Sequence, residues 1–371
     1  MMSARFLTVV LERAFNMRDG FGREIDYMRI SVIDSCNLNC YYCNPCDNNE
    51  HCHALNILSV KEVLCIVRAA TRLGIKHFRL TGGEPLLHPQ LDEMVLQIKK
   101  IPGVSSVSLT TNAVLLAQHA KWLKEAGIDS INVSLDTIDA SEYERITKKP
   151  LLEEVKHGIN AAIECGIRVK INVVLTPQTD VVALTRYVAK KGTDIRFIEM
   201  MPVGEGHTNG VEPYKKVIGT LSKLYGEPCR INTEKTKEIN SGNDKRKIPD
   251  NGPAEYYIFP ELGIRVGLIQ AIHGKFCDTC NRIRVTADGR LMPCLGSSVT
   301  MDLVPDSCEF TDDLEKDFVI VQALKAAIKA KPGCHNFNDN AVTYTKTTET
   351  KTTEIEAAEV NAARNMSRIG G

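Results

Sequence analysis

The 371-residue chain is short of several things, and each shortage removes a class of function. It has no charge excess, because 46 Lys and Arg offset 46 Asp and Glu. Without a one-signed field it lacks the electrostatic means of gathering nucleic acid or an anionic membrane surface. The short run Lys245-Arg246-Lys247 reads as a solvated loop. No segment reaches the roughly 20 apolar residues that cross a bilayer, and Phe6-Leu7-Thr8-Val9-Val10 is too short for a secretory core. Met1 to Arg13, with Glu12 inside it, reads as a plain terminal helix in preference to an Arg-bearing transit peptide. Tryptophan occurs once and aromatics make up 6%, so the 43% hydrophobic content of this ordinary globular composition is mostly aliphatic. The length suits two or three domains, or one α/β barrel of ~250 residues with additions.

Cysteine is the exception to this scarcity. Thirteen is an odd number, and six of them fall in two tight groups, the pattern of metal sites in a reducing compartment such as the cytoplasm. The first group is Cys36-x3-Cys40-x2-Cys43, directly after the apolar run 27–33. Thiolates select zinc, copper(I) or iron–sulfur clusters, and a closed zinc or cubane site takes four ligands. Three grouped thiolates hold three irons of a cubane and leave the fourth open to a small molecule. Tyr41 and Tyr42 lie inside the loop, where a ring can shield a cluster from water. The second group, Cys277-x2-Cys280-x13-Cys294, again has three thiolates, with His273 as the candidate fourth ligand if the metal is zinc. Arg282 and Arg284 follow, separated by Ile283, so on a strand they share one face and offer two forks to phosphate oxygens. The other seven cysteines (Cys46, Cys52, Cys65, Cys165, Cys229, Cys308, Cys334) read as small apolar residues. Cys46 and the trio His51-Cys52-His53 leave a further metal role open.

Short β-branched runs alternate with helical patterns through the first 200 residues. Strands are expected at Met28–Ile33, His77–Thr81, Val104–Thr110, Ser130–Leu135, Arg168–Leu175 and Asp194–Glu199. Helices are expected near Val60–Leu73, Leu91–Lys100, Leu115–Ala126, Leu152–Cys165 and Val181–Lys191, with Ser59 and Glu62 as a start signal and Gly74, Gly127 and Gly166 as stops. Six strand–helix steps predict an α/β fold, an open (βα)6 partial TIM barrel whose chemistry gathers at the carboxyl ends of the strands. Gly82-Gly83-Glu84-Pro85 sits at one such end, where adjacent glycines permit positive φ and a close backbone approach to a ligand. The expected organisation is an N-terminal segment 1–25, the barrel 26–205, a smaller C-terminal α+β cap 206–342 carrying the second cysteine group, and a Thr/Lys/Glu-rich tail 343–371 ending in Gly370-Gly371. Within the cap, strands are expected at Tyr256–Phe259, Ile264–Ile269 and Arg284–Thr286, and helices through Tyr225 and over Leu314–Lys331. The polar stretch Lys235–Pro253 reads as a linker.

These residues carry a resemblance. The first triad has the spacing of the radical S-adenosylmethionine (SAM) enzymes, and nearly the whole chain resembles the GTP 3′,8-cyclases of molybdenum cofactor biosynthesis. The matching segments are Phe21-Gly22-Arg23, 27–32, Arg79–Pro85, Thr110-Thr111-Asn112, Asn132–Asp136, 169–172, Arg196–Met201, Cys277–Arg284 with 286–289, and Met366–Gly371. The resemblance implies two [4Fe-4S] clusters, the first on Cys36, Cys40 and Cys43 and the second on Cys277, Cys280 and Cys294. It implies SAM contacts from Tyr42, Gly83, Ser134 and Met201, and GTP contacts from Arg29, Arg79, Thr110, Lys170, Arg282, Ile283 and Arg284, with Arg29, Arg282 and Arg284 as catalytic residues. The implied reaction opens the C3′–H bond of GTP and joins C3′ to C8 of guanine. Implied partners are GTP, an electron donor and, downstream, cyclic pyranopterin monophosphate synthase; a homodimer is left open. The chain departs from the family pattern at Ser35, Asn44, Cys46 to His53, Ala113 and the Thr-rich stretch before the last glycines. Two other readings stay open: another radical SAM enzyme with an auxiliary cluster, such as a peptide-modifying maturase, and a non-catalytic iron–sulfur or zinc protein.

Overall fold

Each of the first strands alternates strictly. In Tyr27-Met28-Arg29-Ile30-Ser31 and His77-Phe78-Arg79-Leu80-Thr81, Met28, Ile30, Phe78 and Leu80 are wholly buried against helices. The polar residues between them face the other way, because side chains on a strand alternate with period two. Parallel strands covered by helices on both faces read as continuous apolar runs. Alternation in a parallel sheet therefore marks one helix-covered face and one face lining a polar chamber.

The computed structural model describes residues 17–43, 56–203, 210–231, 252–297, 299–303, 313–335 and 337. Asn44, Cys46, His51, Cys52, His53, Cys308, the Lys245–Lys247 run, the Thr-rich tail and Gly370-Gly371 lie outside these residues. The barrel elements are β1 (Tyr27–Ser31), α1 (Val60–Arg72), β2 (His77–Thr81), α2 (Leu91–Lys99), β3 (Ser106–Thr111), α3 (Leu116–Glu125), β4 (Ser130–Ser134), α4 (Ala140–Thr147), α5 (Leu152–Glu164), β5 (Val169–Val174), α6 (Val181–Lys190) and β6 (Asp194–Ile198). Strands β1 to β6 pair in chain order and in parallel. The sequence expectations agree with these bounds to within two residues, and Ser59 forms the reciprocal capping box with Glu62.

One barrel element was not expected. Helix α4 is only eight residues long, and its signal was Asp139, whose carboxylate accepts from the Glu142 N–H at 2.8 Å.

The later elements are α7 (Gly219–Tyr225), β7 (Cys229–Ile231), β8 (Glu255–Ile258), β9 (Arg265–Ile269), β10 (Arg282–Val285), β11 (Arg290–Met292), β12 (Met301–Asp302) and α8 (Asp313–Lys329). The sheet order is β12-β11-β10-β1-β2-β3-β4-β5-β6-β9-β8-β7. The antiparallel strands expected beyond the barrel thus join the barrel sheet itself. Strand β10 runs parallel to β1 and β9 parallel to β6, each followed by antiparallel neighbours. An open barrel leaves unpaired backbone groups along β1 and β6, and these additions satisfy them. The sheet remains open, and α8 packs beside α1 on the apolar face. Among the described residues no helix is long and apolar enough to cross a membrane.

Candidate active site

The first cysteine loop is held from both sides. The N–H groups of Asn39 and Tyr41 donate to the carbonyls of Thr147 (3.0 Å) and Ile146 (3.1 Å), so the unexpected helix α4 carries the loop on its last turn. On the other side, Gly83 donates to the Ile33 carbonyl and Glu84 to the Ser35 carbonyl, each at 2.7 Å. A Cβ on Gly82 would stand 2.3 Å from the Ile33 oxygen, and one on Gly83 would stand 2.1 Å from the Ser35 oxygen. The glycine pair is needed for this close approach. The positive φ that the sequence allowed is found at neither residue. Ser35 enters through its backbone, which is why it can stand where an arginine is usual.

The buried Glu84 carboxylate fixes the end of β3: it accepts from Thr111 Oγ1 and from the Asn112 N–H, each at 2.7 Å. Asn112 Nδ2 reaches Cys36 Sγ at 3.8 Å. Tyr42 donates its hydroxyl to Asp136, whose other oxygen accepts from the Val174 N–H at 2.7 Å. The surroundings of this triad are dry and acidic. Burial first, then Glu84, pushes the Cys36 thiol up to about 11. Cys40 rises further through burial, Cys43 and Asp136. Burial lifts Glu84 to about 7 and Asp136 to about 6. Thiols in such a place become thiolates when a metal withdraws the proton, so the donor set fits an iron cluster.

The second triad lies next to β1 as well, but at the amino end of the parallel pair β1–β10, whereas the first triad follows the carboxyl end of β1. Cys277 opens a single 3₁₀ turn, Cys280 stands two residues before β10, and Cys294 follows β11. Arg23, buried and paired with Asp19 at 2.6 Å, donates to the carbonyls of Cys277 (2.7 Å), Gly333 (3.0 Å) and Pro332 (2.6 Å). Burial pushes the Cys280 thiol up, but Lys331 and Arg282 outweigh it and the net shift is downward. His273 is held through Nδ1 by Glu199 and is not among the residues lining the cavity that the triad opens into. Among the described residues no three His, Cys, Asp or Glu side chains converge as a site for a single metal ion.

Both triads open into one cavity of about 710 Å³ inside the barrel. Its walls include all six cysteines together with Arg29, Tyr42, Arg79, Gly83, Thr110, Ser134, Lys170, Met201, Arg282 and Arg284. Register explains the convergence. Arg29 is paired with Arg284 on one side and Arg79 on the other, while Tyr27 is paired with Arg282 and His77. Three guanidinium groups therefore stand in one row, roughly 4.8 Å apart from strand to strand. Burial, then the neighbouring Arg284, depresses Arg29 well below the usual arginine value; burial and Arg282 bring Arg284 to about 10. Arginine stays charged in proteins, so these shifts express burial first and crowding of like charges second, and an anion would relieve both. Arg79 is aimed by Tyr27 and by Thr110 Oγ1 (3.4 Å), and Lys170 lies 5.9 Å over the Tyr256 ring.

Ile283 is the one expected contact that the cavity does not include. Its side chain is 1% exposed in the hydrophobic core, because it points to the face opposite its two arginine neighbours. Arg196 was overlooked as an individual residue. It lines the cavity, donates Nε to Asn172 at 2.9 Å, and has a buried Nη2 without a hydrogen-bond partner among the described residues. Its signal was the alternation Asp194-Ile195-Arg196-Phe197, which puts a charge on the chamber face.

Comparison with known proteins agrees with this geometry. Residues 30–183 match the Radical SAM superfamily and residues 193–337 match Molybdenum Cofactor Synthesis C. The chain is 36% identical over 324 residues to a GTP 3′,8-cyclase of Clostridium perfringens, covering 86% of this chain and 95% of that protein. It is also 36% identical over 323 residues to one of Listeria monocytogenes, covering 86% and 92%. Among solved structures, Streptococcus suis SuiB bound to S-adenosylmethionine superposes with a TM-score of 0.54 at 15% identity, over 81% of this chain and 65% of that one. This last likeness concerns the fold alone. The two matched domains and the near-complete coverage of the cyclases lead to one conclusion: this chain belongs to the GTP 3′,8-cyclase family of the radical SAM superfamily.

Proposed function

We propose that the barrel cavity holds SAM against the Cys36–Cys43 loop and GTP against the arginine row, so that C3′ of the ribose lies between the two. The family reaction converts GTP to (8S)-3′,8-cyclo-7,8-dihydroguanosine 5′-triphosphate, the first step of molybdenum cofactor biosynthesis. It uses SAM and [4Fe-4S] clusters, which when bound supply the one-electron chemistry that opens the C3′–H bond. The observation that carries the residue assignment is the register Arg284–Arg29–Arg79 beside Arg282.

On this reading the protein's own residues bind, aim and exclude water. Cys36, Cys40 and Cys43 hold the first cluster, and Tyr42, Gly83, Ser134 and Met201 contact SAM, a sulfonium cation suited to the neighbourhood of Asp136 and Glu84. Arg29, Arg79, Lys170, Arg282 and Arg284, joined by Arg196, bind the triphosphate, since six basic side chains converging on one cavity wall suit a polyanion. Thr110 acts mainly by aiming Arg79. Cys277, Cys280 and Cys294 hold the second cluster at the guanine end. Fixing both molecules in one chamber is what directs C3′ to C8 before other reactions intervene. An electron donor, a cytoplasmic setting and transfer of the product to cyclic pyranopterin monophosphate synthase complete the reading.

The test is an anaerobic reaction with SAM, a reductant and GTP deuterated at C3′. Deuterium should appear in 5′-deoxyadenosine in step with a new GTP isomer resolved by chromatography. SAM cleavage without deuterium transfer would overturn the placement of GTP.

A further inference from the structure

Downstream of α8 the chain turns back across the second triad, and one side chain of this return is unusual. Lys331 is 3% exposed, one of the few lysines buried in this protein. A buried ammonium survives only when partners replace its hydration. Its Nζ donates to the carbonyl of Arg282 at 2.8 Å and to the carbonyl of Pro293 at 2.9 Å. It also lies close enough to Cys280 to favour that thiol's charged form. These partners are not scattered: Arg282 starts β10 two residues after Cys280, and Pro293 immediately precedes Cys294. One ammonium thus ties together the two strand ends that carry two of the three thiols. The same return reaches the third, because Cys334 and the backbone of His335 lie against Cys277.

We propose that Lys331 is the positioning residue and charge partner of the second cluster, and that it is not one of the cations that bind the triphosphate. This inference rests on the assignment of Cys277, Cys280 and Cys294 as cluster ligands. Three thiolates on a cubane core leave a net negative group in a low-dielectric wall, and a fixed cation beside one sulfur stabilises it electrostatically. A neighbouring cation also stabilises the reduced, more negative cluster, so its removal shifts the reduction potential downward. Lys331 lines the same chamber as Arg282 and Arg284, but it differs from them in that its ammonium is held by two backbone carbonyls of the strands that carry the thiols.

The test compares anaerobically reconstituted wild type, Lys331→Met and Lys331→Arg by iron content, by SAM cleavage, and by an EPR-monitored redox titration of the second cluster. Calorimetric titration with GTP is the fourth measurement. Lys331→Met keeps the packing volume and removes the charge; it is expected to lower the second cluster's potential, or to lose about four irons per chain, while SAM cleavage continues. Lys331→Arg is expected to restore most of either effect. Both clusters retained at the wild-type potential in Lys331→Met, with only GTP affinity reduced, would show a substrate cation and overturn the inference. Loss of both clusters in both variants would show a packing residue and overturn it equally. A wild-type protein holding a single cluster would instead overturn the ligand assignment beneath it.

Discussion

The two thiol groups share a cavity and a ligand count but sit in opposite electrostatic surroundings. Around Cys36 and Cys40 the charged neighbours are Glu84 and Asp136, and the thiols are pushed up by burial and by those carboxylates. Around Cys280 the neighbours are Lys331 and Arg282, and the thiol is brought down against the effect of burial, although burial still raises its partner Cys277. The difference suits the guests assigned to each end in the proposed function. A sulfonium belongs beside carboxylates and a triphosphate beside guanidinium groups, and a cavity polarised in this way orients both before any reaction begins. An equal number of thiols therefore says nothing about which group does which task; the second layer of residues decides it.

The largest expected effects separate the groups outright. Cys36, Cys40 and Cys43 changed together to alanine should abolish SAM cleavage. Cys277, Cys280 and Cys294 changed together should halve the iron, leave SAM cleavage measurable and abolish cyclisation. Full iron content in the second variant would break the comparison at its root. Next come Arg282→Ala and Arg284→Ala. Loss of a hydrogen bond to a charged group costs about 1.5–3 kcal/mol, roughly ten- to hundredfold in GTP affinity, with both clusters and SAM binding kept. Calorimetry showing wild-type GTP affinity in both variants would remove these arginines from the substrate site.

On the acidic side, Asp136→Asn keeps an acceptor for Tyr42 but removes the charge. SAM affinity is expected to fall about tenfold, near 1.4 kcal/mol, with GTP affinity unchanged; a fall in GTP affinity instead would reverse the polarity argued above. The smallest effect is expected at Ala113, which adopts φ 66° where the family pattern has glycine. A left-handed conformation costs alanine about 1–2 kcal/mol, while glycine adds about 0.4–1 kcal/mol of unfolded-chain entropy. Ala113→Gly should therefore raise stability by roughly 0.5 kcal/mol, read as a Tm increase of about 1 °C. A lower Tm would mean that the buried methyl outweighs the strain.

Much of the barrel was legible because its signals are local. Period-two strands, the Ser59–Glu62 box and the glycines after α1, α3 and α5 mark each element without reference to the rest of the chain. Helix α4 was missed because eight residues give little periodicity, although the Asp139 cap was visible. The reason for the Gly82-Gly83 pair was misjudged in part. The sequence showed two residues without side chains, but only the folded chain shows the Ser35 and Ile33 carbonyls pressed against them.

By itself the sequence determined the element order, both cysteine triads and the alternation that puts Arg29, Arg79, Lys170, Arg196, Arg282 and Arg284 on one face, because spacing and period are properties of the chain alone. Only the tertiary structure decided that β10, about 250 residues away from β1, pairs with it in the register that aligns Arg284 with Arg29 and Arg79. The charge of each triad's surroundings was decided there too. Strand pairing and burial are long-range events, and electrostatic environment depends on distances and dielectric that no stretch of sequence contains.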